Sequence, residues 1–520
     1  MTRFFPCPDH EVPKKTDGVA TRSTPPHQPR ALTGLEGLDA VLGGGLPRNH
    51  IYLLDGEPGT GKTTLALQYL LEGVAQGERG LYVTLSESES ELSDVAQSHG
   101  WTLDGITIFE LTADGTGEGG DEDYTIFHPA EVELKQTLDA VLDVVKRVQP
   151  TRVVIDSLSE LRLLARDPLR FRRQILSVKQ FFAGRECTVL LLDDKSAPAG
   201  DMQLHSLAHG VILLEHVALE YGAERRRLQV TKLRGVRFRG GYHDFRIRTG
   251  GIEVFQRIRT AATTEPAAGG LLLSDNPELE TLLGGGLTRG SSTLITGAAG
   301  TGKSVMCLQY IRAAVERGET VSAFIFDERL ATFVTRAHGL GMPVEEAMKS
   351  GRLRVHQVEP TEMSPGEFAN VVVQAVEKHG SSLIVIDSIN GYMNAMPSER
   401  LLGIQLHELL TYLSNRGVTS LLTLVQHGVF GAPVDEAAEV SYLADTVVLL
   451  RYFEYHGSVR NAISVVKKRT GMHEKMIREF RVDAGGLVIG EPLDQFQGVL
   501  TGVPEYVGAR EPLMSRDHLR

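Results

Sequence analysis

The chain has 520 residues, which excludes a single small module and indicates either two large α/β domains or about three smaller ones. Hydrophobic residues make up 42 % of the chain and charged residues 23 %, so most of it can bury a core and wholesale disorder is excluded. Lys and Arg number 54 against 66 for Asp and Glu, and the net charge of −12 opposes the phosphates of nucleic acid, although local basic patches remain open.

Only three cysteines are present, Cys7, Cys187 and Cys307, and they lie far apart without CxxC spacing. This pattern favours neither a disulfide framework nor a cysteine zinc site, and it suits a reducing compartment. The sequence also has no apolar run of about eighteen residues and no charged start followed by an apolar stretch. We therefore expect a cytoplasmic protein without a membrane span or a signal peptide.

The N-terminal segment 1–30 is rich in proline, charge and threonine. Such a composition has too little apolar surface to offset the entropy of ordering the chain. We expect a flexible arm there.

The two long segments that follow are similar in sequence and form an internal repeat. Their LGGGL blocks are 241 residues apart, and so are the lysines Lys62 and Lys303, which means that the register holds without gaps. Asp156 and Asp387 are only 231 residues apart, which predicts ten extra residues in the first copy. The acid- and glycine-rich stretch 112–123 is the expected loop insertion.

Both copies alternate short apolar runs, such as IYLLDG, LYVTLS and RVVIDS, with segments of helical periodicity, such as TTLALQYLLEGVAQ. This alternation predicts a mainly parallel sheet with helices on both faces in each copy, extended by late hairpin strands. Ala, Gly, Thr and Pro at 260–270 suit a linker. We expect an α/β protein with domains at 31–259 and 271–490 and a tail at 491–520.

Each copy contains a glycine-rich phosphate loop, GEPGTGKT at 56–63 and GAAGTGKS at 297–304. Glycines let the backbone wrap phosphate groups, the following helix N-terminus offers oriented amides, and the lysine reaches the terminal phosphates. Two such loops in repeat register predict two nucleotide sites. The predicted contacts are Gly56, Gly59, Thr60, Gly61, Lys62, Thr63 and Thr64 in the first loop and Gly297, Gly300, Thr301, Gly302, Lys303, Ser304 and Val305 in the second.

Acidic residues end one strand in each copy. Asp156 and Asp387 close the runs VVID and IVID, where a carboxylate can hold Mg²⁺ through water beside the phosphate loop. The loop hydroxyls of Thr63 and Ser304 are the other expected metal ligands.

A group that activates or positions water is the third requirement. Glu87 follows the strand LYVTLS, and Asp327 and Glu328 follow the strand SAFIF. Isolated carboxylates after strands are usually solvated, but Glu87 and Glu328 are again 241 residues apart, which favours a catalytic role.

Basic residues stand in corresponding late strands, far from the phosphate loops in sequence. They are Lys232 and Arg234 in TKLRG and Lys467, Lys468 and Arg469 in VVKKR. Such cations can stabilise the charge that develops on a transferred phosphate. At an interface between subunits, they could act on the nucleotide of the neighbouring subunit. A solvated basic face is the alternative interpretation.

These blocks, in this order, resemble those of the KaiC family, the tandem RecA-like ATPases whose best-known members run a bacterial circadian clock. The resemblance extends from Leu32 to Phe480 through GLDAVLGGGLP, GTGKTTLALQYL, RVVIDSLSEL, TKLRG, LADTVVLLRYFE and MIREF. It implies two tandem RecA-like P-loop domains, a homohexameric double ring, ATP with Mg²⁺ at the subunit interfaces and a small KaiB-like partner. It further implies the following contacts with a neighbour's ATP: Lys232, Leu233 and Arg234 at the first site, and Lys467 and Arg469 at the second.

The family also has an adjacent pair of acids that acts as general base in hydrolysis and autophosphorylation. The second copy keeps this pair as Asp327 and Glu328, whereas the first copy has Ser86 before Glu87. The resemblance therefore implies that Glu87 acts alone in the first domain.

Clock members of the family autophosphorylate a neighbouring serine and threonine in the second domain. This pair aligns with Ser441 and Tyr442. The serine fits the pattern, but a tyrosine hydroxyl lies farther from the backbone than a threonine hydroxyl, which disturbs the in-line geometry of phosphoryl transfer. Autokinase activity is thus a hypothesis centred on Ser441.

Two other functions remain open from the sequence. The segments 225–227 and 234–248 interleave arginines with Phe238, Tyr242 and Phe245, as a motor moving along single-stranded DNA would require, but the net charge of −12 counts against nucleic acid. A non-catalytic nucleotide-gated scaffold is the second alternative, which the retained glutamates disfavour. The leading prediction is an ATP-hydrolysing double ring that acts as a signalling or timing switch.

Overall fold

The computed structural model describes residues 29–111, 129–165, 167–194, 203–218, 222–258, 269–394, 402–426, 441–499 and 505–507. The expected insertion at 112–123 lies outside these residues, as do nearly all of the expected N-terminal arm and linker and much of the tail. In the described part of the chain, no helix is both long enough and apolar enough to cross a membrane.

The first domain starts with a short strand pair and continues as alternating strands and helices. In chain order its elements are β1 (Arg30–Ala31), α1 (Glu36–Val41), β2 (Leu46–Pro47), β3 (Ile51–Gly56), α2 (Lys62–Ala75), β4 (Gly80–Thr84), α3 (Glu89–Ser98), β5 (Ile106–Glu110), α4 (Pro129–Val148), β6 (Arg152–Asp156), α5 (Leu158–Ala165), α6 (Pro168–Phe182), β7 (Thr188–Asp194), α7 (Gln203–Leu207), β8 (Gly210–Val217), β9 (Arg225–Leu233), β10 (Tyr242–Arg248) and β11 (Gly251–Phe255).

Nine of these strands form one sheet in the order β11-β10-β9-β8-β3-β7-β6-β4-β5. The strands from β8 to β5 are parallel, and β9, β10 and β11 extend the sheet as antiparallel strands. The central strand β3 lies between β7 and β8, so the loop that follows it emerges at the carboxyl edge of the parallel strands, where ligands bind in open α/β sheets.

The second domain repeats this pattern. Its elements are β12 (Leu271–Leu272), α8 (Pro277–Leu282), β13 (Leu287–Thr288), β14 (Ser292–Gly297), α9 (Lys303–Glu316), β15 (Val321–Ile325), α10 (Leu330–Gly339), α11 (Val344–Lys349), β16 (Leu353–Gln357), α12 (Pro365–Glu377), β17 (Leu383–Asp387), α13 (Ile389–Asn394), α14 (Leu402–Asn415), β18 (Thr419–Val425), β19 (Thr446–Tyr455), β20 (Ser458–Lys468), β21 (Arg478–Asp483), β22 (Gly486–Pro492), β23 (Phe496–Gln497) and β24 (Glu505–Tyr506).

The second nine-stranded sheet has the order β16-β15-β17-β18-β14-β19-β20-β21-β22, which matches the first sheet strand for strand. The prediction of two α/β domains with mainly parallel sheets is therefore confirmed. The expected late hairpin strands are β8 with β9 and β19 with β20, and each sheet carries two more antiparallel strands than the sequence pattern predicted.

Each sheet is covered on both faces because side chains alternate along a strand. In β3, Tyr52 and Leu54 pack into the cluster beneath α2, whereas Leu53 joins the cluster formed with α4, α5 and α6 on the opposite face. All three side chains are buried. This two-sided burial explains why the central strands read as continuous apolar runs.

Part of the C-terminal tail is folded against the second domain. The strands β23 and β24 pair with each other. The ring of Phe496 lies 5.4 Å from that of Phe453 and 5.2 Å from that of Tyr455, and Tyr506 lies 5.5 Å from Tyr455. These aromatic contacts hold the tail residues against the end of the β19–β20 hairpin.

The two domains contact each other through β10 and the first turn of α12. The carboxylate of Asp244 accepts a hydrogen bond of 2.8 Å from the backbone N–H of Gly366. The nearly buried Glu367 carboxylate forms ion pairs with Arg246 and Arg248. A backbone hydrogen bond of 2.8 Å from Ala223 to the carbonyl of Thr361 lies at the same interface.

Candidate nucleotide sites

The first phosphate loop leaves the carboxyl end of β3 and enters α2. Gly59 and Gly61 have φ angles of 80° and 99°, a left-handed backbone that glycine adopts without steric cost. Gly300 and Gly302 in the second loop have φ angles of 79° and 99°. The two loops thus share one backbone conformation, and in each of them the helix begins at the lysine.

The lysine amines of both loops fold back onto the backbone that would surround a phosphate. Lys62 Nζ donates to the carbonyls of Gly56 at 2.8 Å and Glu57 at 3.0 Å. Lys303 Nζ donates to the carbonyls of Gly297 at 2.9 Å and Ala298 at 2.7 Å. Burial lowers the pKa of Lys303 to about 8, because the charged ammonium loses hydration there.

The threonines in the middle of the loops brace the turn. Thr60 Oγ1 donates to the carbonyl of Glu57, and Thr301 Oγ1 donates to that of Ala298, both at 2.8 Å. Both threonine side chains are fully buried. Of the predicted contacts that follow the lysines, Thr64 is buried and Val305 packs partly against the second core.

The predicted metal ligands of the first domain lie next to each other. Thr63 Oγ1 is 3.4 Å from Asp156 Oδ2, which also accepts a hydrogen bond of 2.5 Å from the hydroxyl of Tyr82 on β4. Burial is the main cause that raises the pKa of Asp156, and the Tyr82 hydrogen bond lowers it in part. One hydroxyl and one carboxylate beside the phosphate loop are the donor types that Mg²⁺ takes together with substrate phosphates.

In the second domain Asp387 ends β17 beside the corresponding lysine. Its Oδ1 accepts a hydrogen bond of 2.5 Å from Thr423 on β18, so a hydroxyl from a neighbouring strand again orients the aspartate. The nearby negative charge of Asp387 raises the pKa of Lys303 in part, against the larger lowering effect of burial. Ser304 follows Lys303 in the first turn of α9. In the described residues, no three His, Cys, Asp or Glu side chains form a group that could hold a metal ion by themselves.

Glu87 lies directly beyond β4 and faces the first phosphate loop. Its backbone N–H donates to Thr84 Oγ1 at 2.9 Å, and that hydroxyl donates to the carbonyl of Glu87 at 2.6 Å. Burial and the nearby charge of Asp156 raise the pKa of Glu87, whereas Lys62 lowers it. Its Oε2 is buried and has no hydrogen-bond partner within the described chain. A carboxylate that is unsatisfied and more basic than usual suits a general base.

Each acid of the pair in the second domain has a side-chain partner. Asp327 Oδ2 accepts a hydrogen bond of 2.7 Å from Ser388, the residue after Asp387. Glu328 forms an ion pair of 2.8 Å with Arg336 on α10. Burial and the charge of Asp387 raise the pKa of Glu328, and Arg336 opposes that rise. The two predicted bases therefore have different surroundings.

The late cations lie at the other end of the sheet from their own phosphate loop. Lys232 pairs with Val211, which lies beside Leu53 of β3, three residues before Gly56. At about 3.3 Å per residue this separation is about 10 Å along the strand. Lys232 Nζ donates to the carbonyls of His205, Ser206 and Ala208, and Arg234 donates to that of Ser206. The chain does not bring these cations to its own first site.

The second domain repeats this arrangement. Lys467 Nζ donates to the carbonyls of Ser441 at 3.0 Å and Ala444 at 2.8 Å, and Arg469 donates to that of Tyr442 at 2.9 Å. Lys468 instead donates to the carbonyls of Leu283 and Gly286, in the turn that follows α8. The side chain of Leu233 between the two first-domain cations is buried in the core, so only its backbone is available to a neighbour.

The candidate phosphorylation sites Ser441 and Tyr442 precede β19, at the carbonyls that these cations hold. The side chain of Ser441 is half-buried, whereas Tyr442 is 56 % exposed. Both residues therefore lie at the same end of the sheet as Lys467 and Arg469, and away from the phosphate loop of their own domain.

The basic segment that suggested a DNA channel has other contacts. Phe238 and Phe245 pack against the first-domain core. Arg246 and Arg248 contact Glu367 of the second domain, and the ring of Tyr242 is covered by the guanidinium of Arg227 at 4.1 Å. These side chains build the sheet edge and the domain contact.

Sequence reasoning missed Asp194, which ends β7 beside the first phosphate loop. Its carboxylate forms an ion pair of 2.7 Å with Lys62 Nζ and accepts a hydrogen bond of 2.9 Å from Ser159. The neighbouring Asp193 pairs with Arg162. The acids that close the run LLLDD are the same kind of signal that identified Asp156, so the pattern was available in the sequence.

The family model described as "ATPase: KaiC" matches residues 31–259 and 276–494, which include both phosphate loops and both nine-stranded sheets. The chain belongs to the KaiC family of ATPases. The resemblance inferred from the motifs is thereby confirmed, and KaiC-family ATPases bind ATP.

Curated KaiC proteins match the chain over nearly its whole length. It is 25 % identical over 511 residues to the circadian clock protein KaiC3 of Synechocystis sp., covering 96 % of this chain and 97 % of that protein. It is 26 % identical over 492 residues to the circadian clock oscillator protein KaiC of Picosynechococcus sp., covering 92 % and 93 %. The KaiC of Synechococcus elongatus is also 26 % identical over 492 residues, covering 92 % of each chain.

Proposed function

We propose that both phosphate loops bind Mg²⁺-ATP and that both sites hydrolyse it, with Glu87 and Glu328 as the general bases. The observation that carries this proposal is the buried Glu87 Oε2, which lacks a hydrogen-bond partner in the described chain and lies in the field of Lys62 and Asp156. A scaffold without catalysis has no need for such a carboxylate beside the phosphate loop.

Binding begins with the loop backbone and its lysine. The left-handed glycines Gly59 and Gly61 turn the peptide around the phosphates, and the first amides of α2 point at them. The amine of Lys62, now bound to two loop carbonyls, would exchange these contacts for phosphate oxygens. Lys303 would do the same in the second domain.

The residues present fit a magnesium ion at each site. Thr63 with Asp156, and Ser304 with Asp387, would hold it, the aspartates through water. When bound, the ion offsets the negative charge of the phosphate oxygens. The hydroxyls of Tyr82 and Thr423 orient the two aspartates for this role.

Glu87 would then accept a proton from the attacking water. The water oxygen bonds to the γ-phosphorus, the bond to the bridging oxygen breaks, and ADP leaves with the electron pair. In the second domain Glu328 takes this part, and Asp327 is held by Ser388 beside it. A raised pKa favours proton acceptance at neutral pH by both glutamates.

We further propose that the sites are completed by a neighbouring subunit. Because Lys232 and Arg234 lie at the edge opposite their own loop, a head-to-tail ring would present them to the next subunit's ATP. Lys467 and Arg469 would serve the second site in the same way. The family relationship supports a homohexamer.

The regulatory role is proposed from the relatives. The printed names of the relatives describe circadian clock proteins, which supports a signalling or timing function for this chain. We propose Ser441, and less readily Tyr442, as autophosphorylation sites, and a small KaiB-like protein as partner. Tyr442 is accessible, but its longer side chain alters the in-line geometry that a threonine would give.

One experiment separates these activities. Purified protein is incubated with Mg²⁺-ATP, and the same sample is analysed by phosphate release and by intact mass with peptide mapping, with Lys62→Ala and Lys303→Ala as controls. Phosphate release that each substitution reduces would support two hydrolytic sites. Added phosphate on Ser441 or Tyr442 that disappears in Lys303→Ala would support an autokinase. Absence of both signals would contradict the proposed function and favour the scaffold.

A further inference from the structure

The loop and helix that follow the second strand correspond residue for residue in the two domains. The helices α3 (Glu89–Ser98) and α10 (Leu330–Gly339) have the same length and are offset by the repeat distance of 241 residues. Their buried contacts correspond as well, because Leu92 and Ala96 occupy the positions of Phe333 and Ala337. A difference between the two helices at one position can therefore be compared directly.

Such a difference occurs where the helix faces the predicted base. Arg336 of α10 stands at the position of Val95 of α3. Val95 packs against the first-domain core, whereas Arg336 places its guanidinium 2.8 Å from the carboxylate of Glu328. Within the described chain, no lysine or arginine forms an ion pair with Glu87. Among the described residues, Glu328 thus has an arginine ion-pair partner and Glu87 has no ion-pair partner.

The contact between Arg336 and Glu328 is a close charge pair, because Nε and Nη2 of Arg336 are buried and have no hydrogen-bond partner in the described chain. The side chains of Arg336 and Glu328 are 27 % and 19 % exposed, so the pair is mostly shielded from water. The guanidinium also lies 5.7 Å from the ring of Phe333, which holds it against the helix. When the Glu328 carboxylate accepts a proton, it loses its negative charge, and the attraction to Arg336 is lost with it.

We propose that Arg336 is a positioning residue of the second site. Its ion pair holds the Glu328 carboxylate, must loosen before that carboxylate accepts the proton of the attacking water, and thereby lowers the rate of hydrolysis at this site. The inference rests on the proposed hydrolytic role of Glu328. It predicts that the first site lacks this restraint because Val95 cannot provide it.

The test uses full-length protein in which one phosphate loop is disabled. In the Lys62→Ala background only the second site turns over, and Arg336→Met removes the charge while it keeps an unbranched apolar stem in place of the arginine stem. We expect kcat for phosphate release to rise about fivefold, which equals about 1 kcal/mol, with KM for ATP unchanged. Arg336→Lys keeps the charge and should restore the parental kcat.

A reciprocal variant and a base variant complete the design. In the Lys303→Ala background, Val95→Arg should lower kcat at the first site by a similar factor. Glu328→Gln combined with Arg336→Met should abolish the gain, because the gain is transmitted through the carboxylate. An unchanged or lower kcat in Arg336→Met, with an unchanged circular dichroism spectrum and intact ring assembly, would overturn the inference. If Arg336→Met misfolds, the kcat of Val95→Arg at the first site decides the question. If neither single-site background releases phosphate, the proposed hydrolysis itself has failed.

Discussion

The ion pair between Lys62 and Asp194 predicts that Asp194→Asn tightens ATP binding at the first phosphate loop. The Lys62 amine contacts the Asp194 carboxylate at 2.7 Å in addition to two loop carbonyls. A bound phosphate competes for this amine and also experiences the negative charge of Asp194. Asparagine keeps the shape of the side chain and removes both effects.

The expected change in the free energy of ATP binding follows from the solvent exposure of the Lys62–Asp194 pair. The side chains of Lys62 and Asp194 are 9 % and 25 % exposed, so the pair is neither fully buried nor fully solvated. At a separation of 2.7 Å and an effective dielectric constant of about 20, the Coulomb energy of about 6 kcal/mol is an upper bound, whereas exposed pairs contribute about 1 kcal/mol or less. We expect a gain of about 1.4 kcal/mol, or about tenfold in Kd.

The assay is titration calorimetry with a non-hydrolysable ATP analogue in the Lys303→Ala background, which isolates the first site. Asp194→Glu retains the charge and is the matched control. The second domain provides a reciprocal test, because Val425 pairs with Gly297 as Asp194 pairs with Gly56. Val425→Asp in the Lys62→Ala background should weaken binding at the second loop. Equal or weaker binding by Asp194→Asn would refute the argument that this carboxylate competes with phosphate.

Three further outcomes are expected. Glu367→Gln removes a charge that Arg246 and Arg248 share at the domain contact, so the free energy of unfolding measured with urea should fall by about 2 kcal/mol; an unchanged midpoint would contradict this. Since burial lowers the pKa of Lys303 to about 8 and bound phosphates would raise it, ATP affinity in Lys62→Ala protein should be nearly constant up to about pH 7, about twofold lower at pH 8 and about tenfold lower at pH 9. Lys303→Arg should not show this decline in calorimetry. In the Lys303→Ala background, Glu87→Gln should reduce phosphate release about 100-fold while Kd for ATP changes little, and a rate near the parental value would exclude Glu87 as the base.

The fold class and the phosphate loops could be predicted from the sequence because each depends on neighbouring residues, and the repeat could be predicted because its two copies keep the same motifs at a constant offset. A phosphate loop is one contiguous segment whose glycines, lysine and hydroxyl lie within eight positions, GEPGTGKT and GAAGTGKS. Buried parallel strands appear as apolar runs for a similarly local reason. The carboxylates Asp156 and Glu87 were found because they directly follow such runs in both copies.

Which charged side chains surround each phosphate loop was decided by contacts between segments that are distant in sequence. Asp194 meets Lys62 only because β7 lies beside β3, and the Lys232 amine is separated from Gly56 only because β8 and β9 place it at the other end of the sheet. The ion pair of Arg336 likewise depends on which face of α10 turns toward Glu328. Spacing along a chain determines the local backbone that binds phosphate, but the charge around that phosphate comes from side chains that the packing of strands and helices brings together.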